Sequence, residues 1–135
     1  MQHHHIVILI LLLQVILDAL GDGFRMRKWQ KAHHTMETLR EGIWIGLIAA
    51  VSLGWLDFQW YYIAMYILGR IWLFDFIINL VARAEFFYIA KSSWDGVIIN
   101  WLALKFKVPV VLPAAMIKLM ALAWWVAWLV TNGGT

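Results

Sequence analysis

Residues 70–79 read RIWLFDFIIN, an apolar and aromatic run that is interrupted by Arg70, Asp75 and Asn79. Ionisable side chains are costly inside a membrane, so they usually face the protein interior or a hydrated cavity. We therefore expect this stretch to belong to a membrane-spanning helix and to form part of a functional site.

The composition of the whole chain predicts an integral membrane protein. Apolar residues make up 64% and charged residues 14% of the 135 residues, whereas soluble domains are about 45–50% apolar. A spanning helix needs about 20 apolar residues, so we predict one all-α domain, residues 1–135, built as a bundle of about four transmembrane helices. The chain has no cysteine, which excludes thiolate ligands, and its net charge of +3 is too small for a nucleic-acid surface.

The apolar runs predict four spans, at about residues 4–20, 36–56, 58–82 and 110–130. Gly21 and Gly23 predict a break after the first span, and residues 24–41 predict a helical extension before the second. Residues 93–106 combine Trp, Ile and Leu with flanking lysines, which predicts an amphipathic helix lying in the membrane interface between the third and fourth spans. The first run lacks the basic start and the cleavage site of a signal peptide, so we interpret it as a retained helix.

The positive charges predict the orientation. Most Lys and Arg residues fall within residues 21–41 and 83–109, and the positive-inside rule places both segments in the cytoplasm with the two chain termini outside. Lys118, in the last span, is expected to extend toward the inner edge. We expect the host membrane to be a bacterial inner membrane.

The predicted topology brings histidines and carboxylates to the cytoplasmic edge of the membrane. His33, His34 and Glu37 form H-H-x-x-E, a spacing from which helical bundles build metal sites. Further carboxylates would come from the neighbouring helices, namely Asp18, Asp22 and Asp75. We expect a divalent metal such as Fe, Mn, Zn or Mg, and the alternative for the motif alone is a solvated ion pair along one helix.

A second constellation lies within and just after the third span. Asp75, Asn79 and Arg83 follow one another at four-residue steps, and Arg70 precedes them. In a low-dielectric setting Arg70 needs a carboxylate, and Asp75 is the expected partner. Two further acidic residues are secondary candidates, Glu85 and Asp95. These groups would either bind a metal or an anionic headgroup, or pair internally and fix helix packing.

The order D-x-x-x-D-G-x-R, from Asp18 through Asp22 and Gly23 to Arg25, resembles the metal- and phosphate-binding motif of CDP-alcohol phosphotransferases. The aspartates here stand four residues apart rather than three, the arginine comes too early, and the downstream aspartates of that motif are missing. We therefore do not assign the chain to that family.

Two classes of function follow from these patterns. The first is a small membrane enzyme or metal-binding protein, with the metal as Lewis acid or redox centre, acting on a lipid at the inner leaflet. The second is a homo-oligomeric channel, transporter subunit or assembly protein whose buried charges line a path or fix packing. Gly42 and Gly46 would permit close contact between copies. The expected partners are the lipid bilayer and a second copy of the chain.

Overall fold

The computed structural model describes residues 3–84 and 94–132, and the regular structure of these residues is helical, without strands. The predicted all-α fold is therefore confirmed. The helices, in chain order, are α1 (His3–Met26), α2 (Gln30–Ser52), α3 (Trp60–Ala82), α4 (Trp94–Phe106) and α5 (Val111–Asn132).

The described helices pack side by side. α2 lies against α1, α1 against α3, and α3 against α5, while the short α4 packs on α5. α1 and α3 run parallel, because His4 contacts Tyr62 near their starts and Gly23 approaches Val81 near their ends. α2 and α5 run in the opposite direction on either side of this pair. α2 also reaches α3, where the rings of Trp44 and Tyr66 stand 5.6 Å apart.

The largest apolar cluster lies where the first halves of α1 and α3 meet α5. Its buried members are Val7, Ile8, Leu11, Tyr62, Met65 and Trp125. α2 has no fully buried residue, and large apolar side chains remain exposed on the outer helices, for example Ile45 at 67% and Leu119 at 64%. Apolar surface on this scale is typical of proteins that contact lipid or another protein.

Three helices are long and apolar enough to cross a membrane: His4–Met26, Trp60–Ala82 and Val111–Thr131. α2 matches them in length, with 23 residues, but it carries the charges of Glu37, Arg40 and Glu41. α4 has 13 residues, and a helix of that length extends about 20 Å, less than a hydrocarbon core of about 30 Å. The interfacial position of α4 stays a prediction.

The predicted break at Gly21 and Gly23 is wrong, because α1 continues through both glycines to Met26. A Cβ added at Gly23 would lie 2.8 Å from the Cβ of Val81 in α3, and one added at Gly21 would lie 3.5 Å from the Cβ of Met36 in α2. Each glycine costs about 1 kcal/mol of helix propensity relative to alanine. In exchange for this cost, the two glycines allow α2 and α3 to approach α1 closely.

α3 is not a uniform helix. A π-helical segment, Arg70–Phe74, separates the α-helical parts Trp60–Gly69 and Asp75–Ala82. Segments of this kind are rare and often occur at functional sites. The π segment coincides with the first half of the RIWLFDFIIN stretch, and nothing in the sequence pattern predicted it.

The close approach at Gly23 predicts that Gly23→Ala destabilises the protein and that Gly46→Ala does not. A methyl group at position 23 would overlap Val81, whereas nothing lies within 4 Å of a Cβ at position 46. Overpacking should lower the free energy of unfolding by about 1–3 kcal/mol, and Gly46→Ala should raise it by up to about 1 kcal/mol. Unfolding in mixed micelles measures both. Equal stability of the two alanine variants would contradict this packing.

Candidate functional site

The carboxylate of Asp18 in α1 connects three helices. Its Oδ1 accepts a hydrogen bond from Arg40 Nη1 of α2 at 2.5 Å, and its Oδ2 accepts one from Arg70 Nη1 of α3. The Asp18 side chain is only 13% exposed. Since two guanidinium groups share one carboxylate, the cluster keeps one surplus positive charge.

Gln14 lies one turn before Asp18 on the same side of α1 and is completely buried. Its Nε2 donates to the backbone carbonyl of Arg40 at 3.0 Å. Its Oε1 has no hydrogen-bond partner among the described residues. α1 therefore holds Arg40 through both the backbone and the side chain.

A second ion pair joins α3 to α5 directly after the π segment. Lys118 Nζ donates to Asp75 Oδ2 at 2.7 Å and to the carbonyl of Ile71, within the π segment, at 3.2 Å. Both side chains are largely buried, at 11% and 16% exposure. Asp95 of α4 lies close enough to Asp75 for the two carboxyl groups to interact electrostatically. Each interface between neighbouring long helices is thus bridged by a charged pair.

The structure replaces the partner that the sequence predicted for Arg70. Arg70 bonds Asp18 instead of Asp75, because its side chain faces α1. Asp75 instead bonds Lys118 at the interface of α3 and α5, and the predicted extension of Lys118 toward the inner edge stays a prediction. The two members of each pair stand 52 and 43 positions apart in the chain, so helical spacing could not identify them.

Three side chains near the start of α2 form what we call the histidine–glutamate group: His33, His34 and Glu37. Their possible ligand atoms all lie within 4.8 Å of one another. His33 Nε2 is 3.4 Å from Glu37 Oε1, and His34 Nδ1 is 3.4 Å from Glu37 Oε2. The three residues therefore meet on one face of α2.

The ring of His33 is oriented by α1. Its Nδ1 lies 2.9 Å from the carbonyl oxygen of Gly21, and because a carbonyl only accepts, Nδ1 carries a proton. In the neutral ring Nε2, on the side of Glu37, is then the nitrogen that can bind a metal. Metal-binding histidines usually donate their other ring N–H in this way. His33 is 14% exposed and His34 71%, so the group is anchored on one side and open on the other.

Two of the aspartates that were expected to complete a metal site lie near the histidine–glutamate group, because Asp18 and Asp22 line a small pocket together with His33 and Glu37. Their carboxylates are engaged in ion pairs, Asp18 with Arg40 and Asp22 with Arg25. Asp75 pairs with Lys118 at the interface of α3 and α5. The ligand atoms that the structure brings together are those of the H-H-x-x-E motif.

The remaining polar residues that the sequence singled out come after Asp75 in the chain. Asn79 is buried within α3, and Arg83 ends that helix in the left-handed conformation, with φ 57°. Asp95 belongs to α4 and approaches Asp75. Glu85 lies outside the described residues.

Sequence reasoning missed the roles of Gln14, Arg40 and Lys118. Arg40 was grouped with the basic run of the helical extension, although it also falls within the predicted second span. An arginine inside a span needs a partner of opposite charge. That requirement could have shown from the sequence that Arg40 pairs with an acidic residue of another helix. For Gln14, the shared helix face with Asp18 was the corresponding signal.

Comparison with known proteins adds no guide to this site. The chain matches no protein-family model, no curated protein and no solved structure. Its function is therefore argued from the geometry of the described residues.

The pair between Asp75 and Lys118 predicts strongly non-additive substitutions. Asp75→Asn or Lys118→Met alone leaves one buried polar or charged group without its partner, which should lower the free energy of unfolding by about 3–5 kcal/mol. The double variant should recover most of this loss. A double-mutant cycle in mixed micelles tests it, with Asp57→Asn on the exposed turn as control. Additive losses would show that the two side chains do not interact.

Proposed function

We propose that the protein is an integral membrane protein that binds a divalent transition metal at the histidine–glutamate group. The observation that carries this proposal is the separation of 3.4 Å between each histidine nitrogen and an oxygen of Glu37. Ligands placed about 2.0–2.1 Å from a tetrahedral metal stand about 3.3–3.4 Å apart. Direct charged hydrogen bonds are shorter, at about 2.7–2.9 Å. The two histidine–glutamate separations therefore match those of metal ligands, and the three ligand atoms together lie within 4.8 Å of one another.

The donor set favours zinc, with iron and manganese as alternatives. Imidazole nitrogens suit Zn and Fe, and carboxylate oxygens also suit Mn. Three protein ligands leave one coordination position open, which is the arrangement of catalytic rather than structural zinc sites. A metal held in this way acts as a Lewis acid or activates water. We propose that its substrate is a lipid of the inner leaflet.

The packing of α2 supports a fourth membrane crossing. α2 lies along most of α1, with Met36 beside Gly21 near one end and Trp44 and Leu47 against the apolar cluster near the other. A helix of this length that packs antiparallel along a spanning helix can reach from one membrane surface to the other. The charge of Arg40 is compatible with this position because its guanidinium group pairs with the Asp18 carboxylate.

The basic turns support the orientation in which both chain ends lie outside. α1, α3 and α4 are each followed by a basic residue with positive φ, at Lys28, Arg83 and Lys107. Lysine and arginine at these turns favour the cytoplasmic side. The histidine–glutamate group, near the start of α2, then lies at the cytoplasmic edge of what we propose to be a bacterial inner membrane.

A channel or transporter remains the alternative function, and the contacts favour a packing role for its charges. Arg70 bonds α1 and Asp75 bonds α5. Charges engaged in this way connect helices rather than line a path.

The four-crossing topology predicts a pattern of labelling in single-cysteine variants, since the chain has no cysteine of its own. In sealed vesicles, a membrane-impermeant maleimide should react with the Lys31→Cys variant only from the cytoplasmic side and with the Asp57→Cys variant only from the opposite side. The Ile45→Cys variant should stay unlabelled until detergent is added, although Ile45 is 67% exposed. Rapid labelling at position 45 in intact vesicles would contradict the crossing of α2.

The metal site predicts stoichiometric binding that depends on His33 and Glu37. The run of histidines at residues 3–5 could bind metal by itself, so the parent for this test carries His3→Ser and His5→Ser. After chelator treatment in detergent, it should bind one zinc ion per chain by elemental analysis and calorimetry. His33→Ala and Glu37→Gln should each weaken binding by more than the about 10–100-fold typical of losing an outer-shell contact.

The control for this experiment is Glu41→Gln. It removes a carboxylate one turn further along α2, outside the histidine–glutamate group, and should leave zinc binding unchanged. Absence of zinc from the parent, or equal binding by the parent and His33→Ala, would overturn the proposed metal site.

A further inference from the structure

We propose that the protein also holds one zwitterionic phospholipid of the bilayer between α1, α2 and α3, with its headgroup between Arg40 and Glu41. The proposal rests on two adjoining cavities, one polar and one apolar. It does not require a metal at the histidine–glutamate group.

The polar cavity has a volume of about 330 Å³, at the lower end of the roughly 300–1,000 Å³ of small-molecule sites. Its lining residues are Asp18, Arg40, Glu41, Trp44, Ile45 and Tyr66. It opens beside Ile45, whose side chain is 67% exposed. A lipid can therefore enter from the side, directly from the bilayer.

The charges of this cavity are balanced but separated. Asp18 is shared by Arg40 and Arg70, so one positive charge is left over, and Arg40 has further N–H donors for a phosphate. Glu41 supplies the opposite charge on the exposed side of α2. A headgroup with both a phosphate and an ammonium complements this pair, whereas a purely anionic headgroup would face the Glu41 carboxylate.

Two aromatic rings would contact the ammonium group of the lipid. Trp44 and Tyr66 stand edge to face with their centroids 5.6 Å apart, and both line the polar cavity. Aromatic faces attract ammonium groups, and the attraction is stronger where water is excluded. The rings and the Glu41 carboxylate thus recognise the same end of the headgroup.

The apolar cavity offers a place for one acyl chain of the lipid. It has a volume of about 230 Å³, shares Trp44 with the polar cavity, and continues between α1 and α2 along Leu11 and Ile48 toward Phe58. Because α2 begins on the proposed cytoplasmic side, the polar cavity lies closer to that side than the apolar one does. The headgroup therefore lies toward the proposed cytoplasmic side and the acyl chain extends away from it.

Native mass spectrometry of the delipidated full-length protein tests the inference, with a chelator present throughout to separate lipid from metal binding. Phosphatidylethanolamine, phosphatidylglycerol and diacylglycerol with identical acyl chains are the probes. The unsubstituted protein should bind one phosphatidylethanolamine at least about tenfold more tightly than either other lipid, a difference that one charged contact can supply.

Two variants locate the site. Glu41→Gln should abolish the preference for phosphatidylethanolamine over phosphatidylglycerol, and Ile45→Trp, at the exposed mouth, should weaken binding of both lipids. His34→Ala, which changes the histidine–glutamate group alone, should bind lipid normally. Equal binding of all three lipids, a preference for phosphatidylglycerol, or unchanged selectivity in Glu41→Gln would overturn the inference. Failure of zinc binding would leave these lipid results unaffected.

Discussion

The carboxylate of Asp18, shared between Arg40 and Arg70, is the interaction on which the arrangement of the first three helices depends. An arginine at the centre of a spanning helix costs about 2.5–3.5 kcal/mol even on the mildest scale. Two arginines from different helices can occupy the interior only where an anion stands between them. Asp18 supplies that anion from α1, the helix that lies between α2 and α3.

The position of α2 depends on this interaction as well as on apolar packing. α2 has no fully buried residue, and Trp44 and Leu47 pack against the apolar cluster. Its polar contacts with α1 are the bonds from Arg40 to Asp18, from Gln14 to the Arg40 carbonyl, and from His33 to the Gly21 carbonyl. These contacts fix the rotation of α2, and they thereby orient the proposed metal ligands and the proposed lipid cavity on either side of Arg40.

The fold class and the local motif could be predicted from the sequence, because both depend on short-range patterns. Apolar runs indicated the helices, and the i, i+3 and i, i+4 spacing of His33, His34 and Glu37 brought their side chains together in the structure as predicted. The partners of Arg70 and Asp75 could not be predicted, because they depend on how distant helices dock. The π segment and the close packing at Gly23 also depend on tertiary contacts, which outweigh local propensity at both places.

The most direct test of this account is the free energy of unfolding of Asp18→Asn, measured in mixed micelles beside a triple variant that combines Asp18→Leu, Arg40→Met and Arg70→Met. The account predicts that Asp18→Asn alone loses about 3 kcal/mol, at the lower end of the range for buried pairs because the two arginines that lose their anion are only partly buried, and that the triple variant recovers most of that loss. Unchanged stability of Asp18→Asn, or a triple variant less stable than the single one, would contradict the central role of Asp18.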